Sequence, residues 1–154
     1  MATPLIRPAR PAEAAGLTEL VLRSKAHWGY DQAFMDACRA ELTLAPEQLT
    51  ADRALVAERA DGVPVGFALL GGSAPEGELD MLFVDPAAIG TGVGGRLYRA
   101  LLELARAEGF ERLSLDADPY AVGFYAAMGA RPDGESPSAS IPGRVLPRFA
   151  IELG

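Results

Sequence analysis

Four glycines, Gly90, Gly92, Gly94 and Gly95, fall within six positions, between an apolar run (Leu79 to Val84) and an amphipathic one (Leu97 to Glu108). Glycine has no Cβ, so a ligand can approach the backbone and meet its N–H groups directly. At a helix start those N–H groups lack intrahelical partners and share roughly half a positive charge from the helix dipole. A strand, a glycine turn and a helix in that order read as a pyrophosphate cradle. Just upstream, Glu78 and Asp80 lie two apart, and the strand period of two puts them on one face. Two acids on one face of an otherwise apolar strand are either a solvent-facing pair or groups whose pKa values burial raises.

The elements that must position these groups follow from periodicity and punctuation. Leu5-Ile6-Arg7 reads as a short strand. Pro11 opens a helix with Leu17, Leu20, Val21 and Ser24 on one stripe. Trp28-Gly29-Tyr30 interrupts it, and Asp31 caps a second helix with Phe34, Met35, Cys38 and Leu42 on one face. Residues 46–49 predict one more helical turn. Alternation over 54–59, then Asp61-Gly62, then 64–70 predicts a hairpin. Residues 71–75 read as a turn and 78–84 as the next strand. Beyond the glycines, Val93, Leu97, Leu101, Leu104 and Ala105 recur at helical spacing up to Gly109. Arg112 to Asp116 is a strand. Asp118 and Pro119 open a short helix that carries Phe124, Tyr125 and Met128 and ends at Gly129. Two last strands flank a Pro/Ser-rich loop at 132–142, the final one from Val145 to Leu153. The order β-α-α-β-β-β-α-β-α-β-β predicts an α/β (α+β) fold with a mixed, mostly antiparallel sheet and helices on both faces.

Composition narrows the function classes. The 154 residues fit one domain with a substantial core, 1–154. A net charge of -7 argues against nucleic acid as a partner, and a cationic or neutral small molecule suits such a surface better. One cysteine, Cys38, and one histidine, His27, leave no cysteine or histidine metal set, and no metal is expected. The N-terminal stretch has no apolar signal core and no apolar run approaches about 20 residues, so a cytoplasmic protein without membrane contact is expected.

Gly90-x-Gly92-x-x-Gly95 matches a dinucleotide fingerprint, with Asp116 about 20 residues on where a ribose-binding acid belongs. Against it, five residues separate Val84 from Gly90, the motif comes late, and hairpins join the preceding strands. A nucleoside-triphosphate loop needs Gly-Lys-Ser/Thr, which is absent. Ile89, Gly92 and Gly94 instead match Gln/Arg-x-x-Gly-x-Gly/Ala. Asp118, Ala121, Tyr125, Gly129 and Ala130 match Asn-x-x-Ala-x-x-x-Tyr-x-x-x-Gly-Phe. In these two motifs and in element order the chain resembles the GCN5-related N-acetyltransferase (GNAT) family over almost its full length. It departs from the pattern at Ile89, Asp118 and Ala130, where the family has a polar residue, Asn and Phe.

The resemblance implies acetyl-CoA as cosubstrate and a primary amine of a small molecule as acceptor. An alkyl amine with pKa near 10.4 is neutral in about one molecule in 2,500 at pH 7, a deficit of roughly 4–5 kcal/mol that a general base removes. Glu78 is the candidate base and Tyr125 the candidate acid for the thiolate. The CoA-binding set is Leu82, Phe83, Val84, Ile89, Gly90, Thr91, Gly92, Val93, Gly94, Gly95, Asp118 and Tyr125. An N–H of Leu82 or Phe83 would polarise the acetyl carbonyl. Asp118 has a second reading as a helix cap. Trp28, Tyr30, Asp31, Met35, Asp80 and Arg144 are acceptor-side candidates, with Ser136, Ser138 and Pro147 near them. Arg144 could take a substrate carboxylate or pair with an acid, and Trp28 and Tyr30 could hold an amine or simply pack. Other readings are a non-catalytic acyl-CoA-binding or regulatory module and a dinucleotide-binding protein. A homodimer is common in the resembling family.

Overall fold

The computed structural model describes residues 3–154; Met1 and Ala2, which begin the stretch scanned for a signal core, lie outside it. The elements are β1 (Leu5–Pro8), α1 (Ala14–Ala26), α2 (Gln32–Leu42), β2 (Ala54–Glu58), β3 (Pro64–Ser73), β4 (Glu76–Val84), α3 (Val93–Ala107), β5 (Arg112–Asp116), α4 (Val122–Ala127), β6 (Arg131–Pro137) and β7 (Val145–Glu152). The seven strands form one sheet in the order β1-β2-β3-β4-β5-β7-β6. Every neighbouring pair is antiparallel except β4 and β5.

Strand alternation sends side chains to two cores. Val56, Phe67, Leu69 and Met81 meet Leu17 and Val21 of α1 and Met35, Cys38 and Leu42 of α2. Leu55, Ala57, Ala68, Leu70 and Leu79 meet Val93, Leu97, Tyr98 and Leu101 of α3 and Tyr125 of α4. Each fully buried Leu or Val contributes roughly 1.5–3 kcal/mol, so the helices are held mainly by these stripes. Gly66 lets α3 sit close on β3, since a Cβ there would fall 2.5 Å from Leu97 Cδ1. Among the described residues no helix is long and apolar enough to cross a membrane.

Two boundaries differ from the sequence reading. β3 runs on to Ser73 because Gly71 and Gly72 pair with Glu78 and Gly77, leaving only Ala74 and Pro75 as the turn. The stretch from Pro132 to Pro137 belongs to strand β6 and not to a loop. An edge strand tolerates proline, and the register shift between Pro132 and Glu135 accommodates Gly134 at φ +84.

The sheet is open at its centre. β4 and β5 share only the register pairs Glu76 with Arg112, Gly77 with Leu113 and Glu78 with Ser114. β4 then stays with β3 as far as Val84, while β5 stays with β7 as far as Asp116. The divergence follows a bulge in β4: Leu70 pairs with Leu79 and Leu69 with Met81, so Asp80 is the extra residue. A bulge bends its strand and increases its twist. It also explains why Leu79 and Met81, two apart, enter opposite cores.

Candidate active site

The gap between β4 and β5 opens into a cleft of about 400 Å³. Its walls are Leu79 to Val84, the turn around Ile89 and the glycines, Asp116 and Asp118, and Phe124 and Tyr125 of α4. Past Glu78, β4 has no strand on this side, so every second peptide unit can pair with an extended ligand. Leu82, Phe83 and Val84 line this edge.

The turn before α3 is built to leave N–H groups unpaired. Gly90 and Gly92 take φ of +83 and +87, a region that L side chains rarely adopt. Gly92 is the N-cap of α3 and brings no side-chain acceptor. The first turn bond is Arg96 N–H to Gly92 C=O, and the N–H groups of Gly92, Val93, Gly94 and Gly95 meet no acceptor among the described residues. Gly90, Gly92, Gly94 and Gly95 line the cleft with Ile89, which is 40% exposed. Thr91 and Val93 do not line it: the Thr91 hydroxyl and N–H both donate to Ala88 C=O, and the Val93 side chain is buried in the core. Val93 therefore offers only its N–H, and the cradle runs from Gly92 to Gly95 instead of from Thr91. A diphosphate matches this donor set in charge and hydrogen-bonding sense.

Glu78 and Asp80 lie on one face, as the strand period gives, and the bulge breaks the alternation only between Leu79 and Met81. The Asp80 carboxylate folds over Gly71, where a Cβ would fall 2.1 Å from Oδ2. Asp80 lines the cleft and keeps solvent access, yet the surrounding walls strip enough water to matter. Burial first, and then the charge and hydrogen bond of Glu78, push its pKa up to about 6. Glu78 is not a wall of the cleft; its carboxylate is 55% exposed, with Arg148 3.9 Å away. Arg148 is held more tightly by Asp116, at 2.8 Å.

Tyr125 sits on α4 with its ring among Tyr98, Phe124 and Phe149, and it lines the cleft. Burial holds its hydroxyl well above the ordinary tyrosine pKa, so it stays protonated.

On the far side the acceptor candidates separate into two groups. Trp28 lines the cleft, stacked on Tyr120 at 5.2 Å and 4°. Tyr30 and Arg144 belong to a cluster around Asp118. The Asp118 carboxylate accepts from Lys25 Nζ at 2.7 Å, from the Tyr30 hydroxyl at 2.8 Å and from the Tyr120 N–H at 3.0 Å. Arg144 donates to the Tyr30 hydroxyl at 2.9 Å and lies 3.7 Å from Asp118. Burial would raise the Asp118 pKa, but the bonds from Lys25, the Tyr120 N–H and Tyr30 outweigh it and hold the pKa below the ordinary value. Asp118 is thus a helix cap, as one reading held, and also the centre of an ion cluster.

Met35 and Asp31 are not in the site. Met35 is buried with Cys38 and Leu42 because that helical stripe packs on the sheet. The Asp31 carboxylate accepts the Phe34 N–H at 2.8 Å as the α2 N-cap. Ser138 accepts the Ser140 and Ile141 N–H groups and shapes its own loop. The sequence reading missed Gly71, Lys25 and Tyr120. Gly71 read as a turn residue, and Lys25 and Tyr120 carry no local pattern; only the fold brings Lys25 and Tyr120 to the cleft and Gly71 beneath Asp80.

Among curated proteins no match is found. Solved structures are similar throughout. A GCN5-related N-acetyltransferase from Rhodopseudomonas palustris, also described as a class-II aminotransferase, is 29% identical, with 99% of this chain and 97% of that chain covered and a TM-score of 0.78. The PaiA N-acetyltransferase of Thermoplasma acidophilum, in complex with coenzyme A, is 17% identical, with 98% and 99% covered and a TM-score of 0.77. YncA, a putative acetyltransferase from Salmonella typhimurium with its cofactor acetyl-CoA, is 23% identical, with 99% and 95% covered and a TM-score of 0.71. The last two share the fold. The acetyltransferase (GNAT) family model matches residues 19–130, which include the strand gap, the glycine turn and α4. With that match over most of its length, the chain belongs to the acetyltransferase (GNAT) family.

Proposed function

We propose that the chain is a single-domain enzyme that transfers an acetyl group from acetyl-CoA to a primary amine of a small molecule by direct attack. The observation that carries this is one cleft holding an open strand edge, four unpaired N–H groups, a carboxyl with pKa about 6 and the Tyr125 hydroxyl. Acetyl-CoA is the cosubstrate that fits. The N–H groups of Gly92 to Gly95 meet a diphosphate, and the free edge of Leu82 to Val84 pairs with an amide-bearing arm.

Asp80 is the base in this reading, directly or through water. The sequence pointed first to Glu78, but Glu78 stands outside the cleft walls, and its charge acts by raising Asp80. Near pH 7 most of Asp80 is ionised and able to take a proton from an ammonium as the amine attacks. A backbone N–H of the open β4 edge donates to the carbonyl oxygen as negative charge develops there. Tyr125, protonated at any working pH, donates a hydrogen bond to the departing thiolate. The thiolate takes its proton from the Asp80 carboxyl, the stronger acid, since the thiol pKa of about 8.5 lies above that of Asp80 and below that of Tyr125.

Thiol release from acetyl-CoA across a panel of primary amines tests the proposal. Amine-dependent release that rises with pH through about 6 is expected, with loss of activity in Asp80→Asn. Tight acetyl-CoA binding without release for any amine would favour a non-catalytic acyl-CoA-binding module.

A further inference from the structure

We propose that the acceptor carries a carboxylate as well as its amine, and that Lys25, backed by Arg144, binds that carboxylate. The inference rests on the acetyl-transfer reading and specifies the acceptor of that same cleft. Lys25 is the only lysine in the chain. It stands in the last turn of α1 and lines the cleft. The side chains of Lys25, Arg144 and Asp118 are 12%, 16% and 16% exposed, so two cations and one anion share a partly buried place. Among the described residues no second carboxylate joins them: Asp31 caps α2, and Glu41 bonds Ser140. One positive charge is left uncompensated where water is scarce, and such a charge favours a ligand anion.

The donors to meet that anion are in place. The Lys25 ammonium has three N–H groups, and Asp118 takes one. Tyr30 and Phe34 lie 5.2 and 5.7 Å from Lys25 Nζ and fix its position. The Arg144 guanidinium stacks 4.8 Å over Phe34 and lends its charge from behind. The opposite polarity stands elsewhere on the same walls, where Asp80 and Asp116 line the cleft. A molecule with an ammonium toward β4 and a carboxylate toward α1 complements both. An acceptor with an amine alone leaves the Lys25 side uncompensated.

The test uses the wild-type protein, acetyl-CoA and matched acceptor triplets: an amino acid, its carboxamide and its decarboxylated amine. The amino acid is expected to show a kcat/KM at least about tenfold higher, mostly through KM. Lys25→Gln should raise the amino-acid KM about tenfold or more and erase the preference, with the acetyl-CoA KM unchanged. Lys25→Arg should keep the preference and controls for folding. Equal kcat/KM across each triplet, or a Lys25→Gln effect on the acetyl-CoA KM alone, would overturn this inference and leave acetyl transfer standing. Absence of thiol release with every acceptor would overturn acetyl transfer itself, and this inference with it.

Discussion

The glycine turn and the Asp118 cluster stand on one cleft but are made differently. The turn is contiguous, from Ile89 to Gly95, and presents backbone N–H groups. The cluster joins α1 (Lys25), the α1–α2 connection (Tyr30), the segment after β5 (Asp118) and the segment before β7 (Arg144) through side chains. The first needs only a backbone conformation that glycine permits. The second needs every partner, because removing one leaves a partly buried charge without compensation. In the proposed mechanism the chemical step falls between them, at the Asp80 carboxyl, whose pKa burial and Glu78 raise.

This contrast gives substitutions separable readouts. The largest effect is expected at the junction. Asp80→Asn should lower kcat by about 10²–10⁴-fold. The same change should stabilise the fold at neutral pH. The folded pKa of Asp80 is raised to about 6 from an ordinary value near 3.8. The folded state therefore holds the proton more tightly, and stability falls as pH rises through that window. Discounted for the solvent access of Asp80, the gain in Asp80→Asn at pH 7 is about 1 kcal/mol, and it vanishes below about pH 4. Thermal unfolding at pH 4 and pH 7 checks this.

Next comes Asp118→Asn, which leaves Lys25 and Arg144 without their carboxylate. A loss of about 3 kcal/mol in denaturant unfolding is expected, with the acceptor KM raised more than the acetyl-CoA KM. Gly92→Ala should act the other way round. At φ +87 an alanine costs about 1–2 kcal/mol. The strained turn should weaken acetyl-CoA binding about tenfold, by calorimetric titration, with little change at the acceptor. An Asp118→Asn effect confined to acetyl-CoA would break the division between the two walls. The smallest effect is expected for Glu78→Gln. Removing the neighbouring charge should lower the Asp80 pKa, so the acid limb of the kcat/KM profile moves below pH 6 with kcat at pH 8 nearly unchanged.

The two walls also differ in how far the sequence reveals them. Element order was readable because the α3 stripe of Val93, Leu97 and Leu101, the Asp61-Gly62 turn and the caps at Asp31 and Asp118 are all local signals. The glycine turn was readable for the same reason. The bulge at Asp80 was not, since it depends on the pairing of β4 with β3, and regular alternation masks it. Met35 was an acceptor-side candidate by its place on the second helix, but its stripe with Cys38 and Leu42 faces the core. Lys25 gave no signal, because its partner Asp118 lies 93 residues away.

The most direct measurement is thermal unfolding with acetyl-CoA, CoA, NAD and no ligand. At about a hundred times its Kd, a ligand stabilises the native state by about 2.7 kcal/mol, roughly 5–10 °C for a domain of this size. The account predicts that shift with acetyl-CoA and CoA and none with NAD. No shift with acetyl-CoA, or an equal one with NAD, would contradict it.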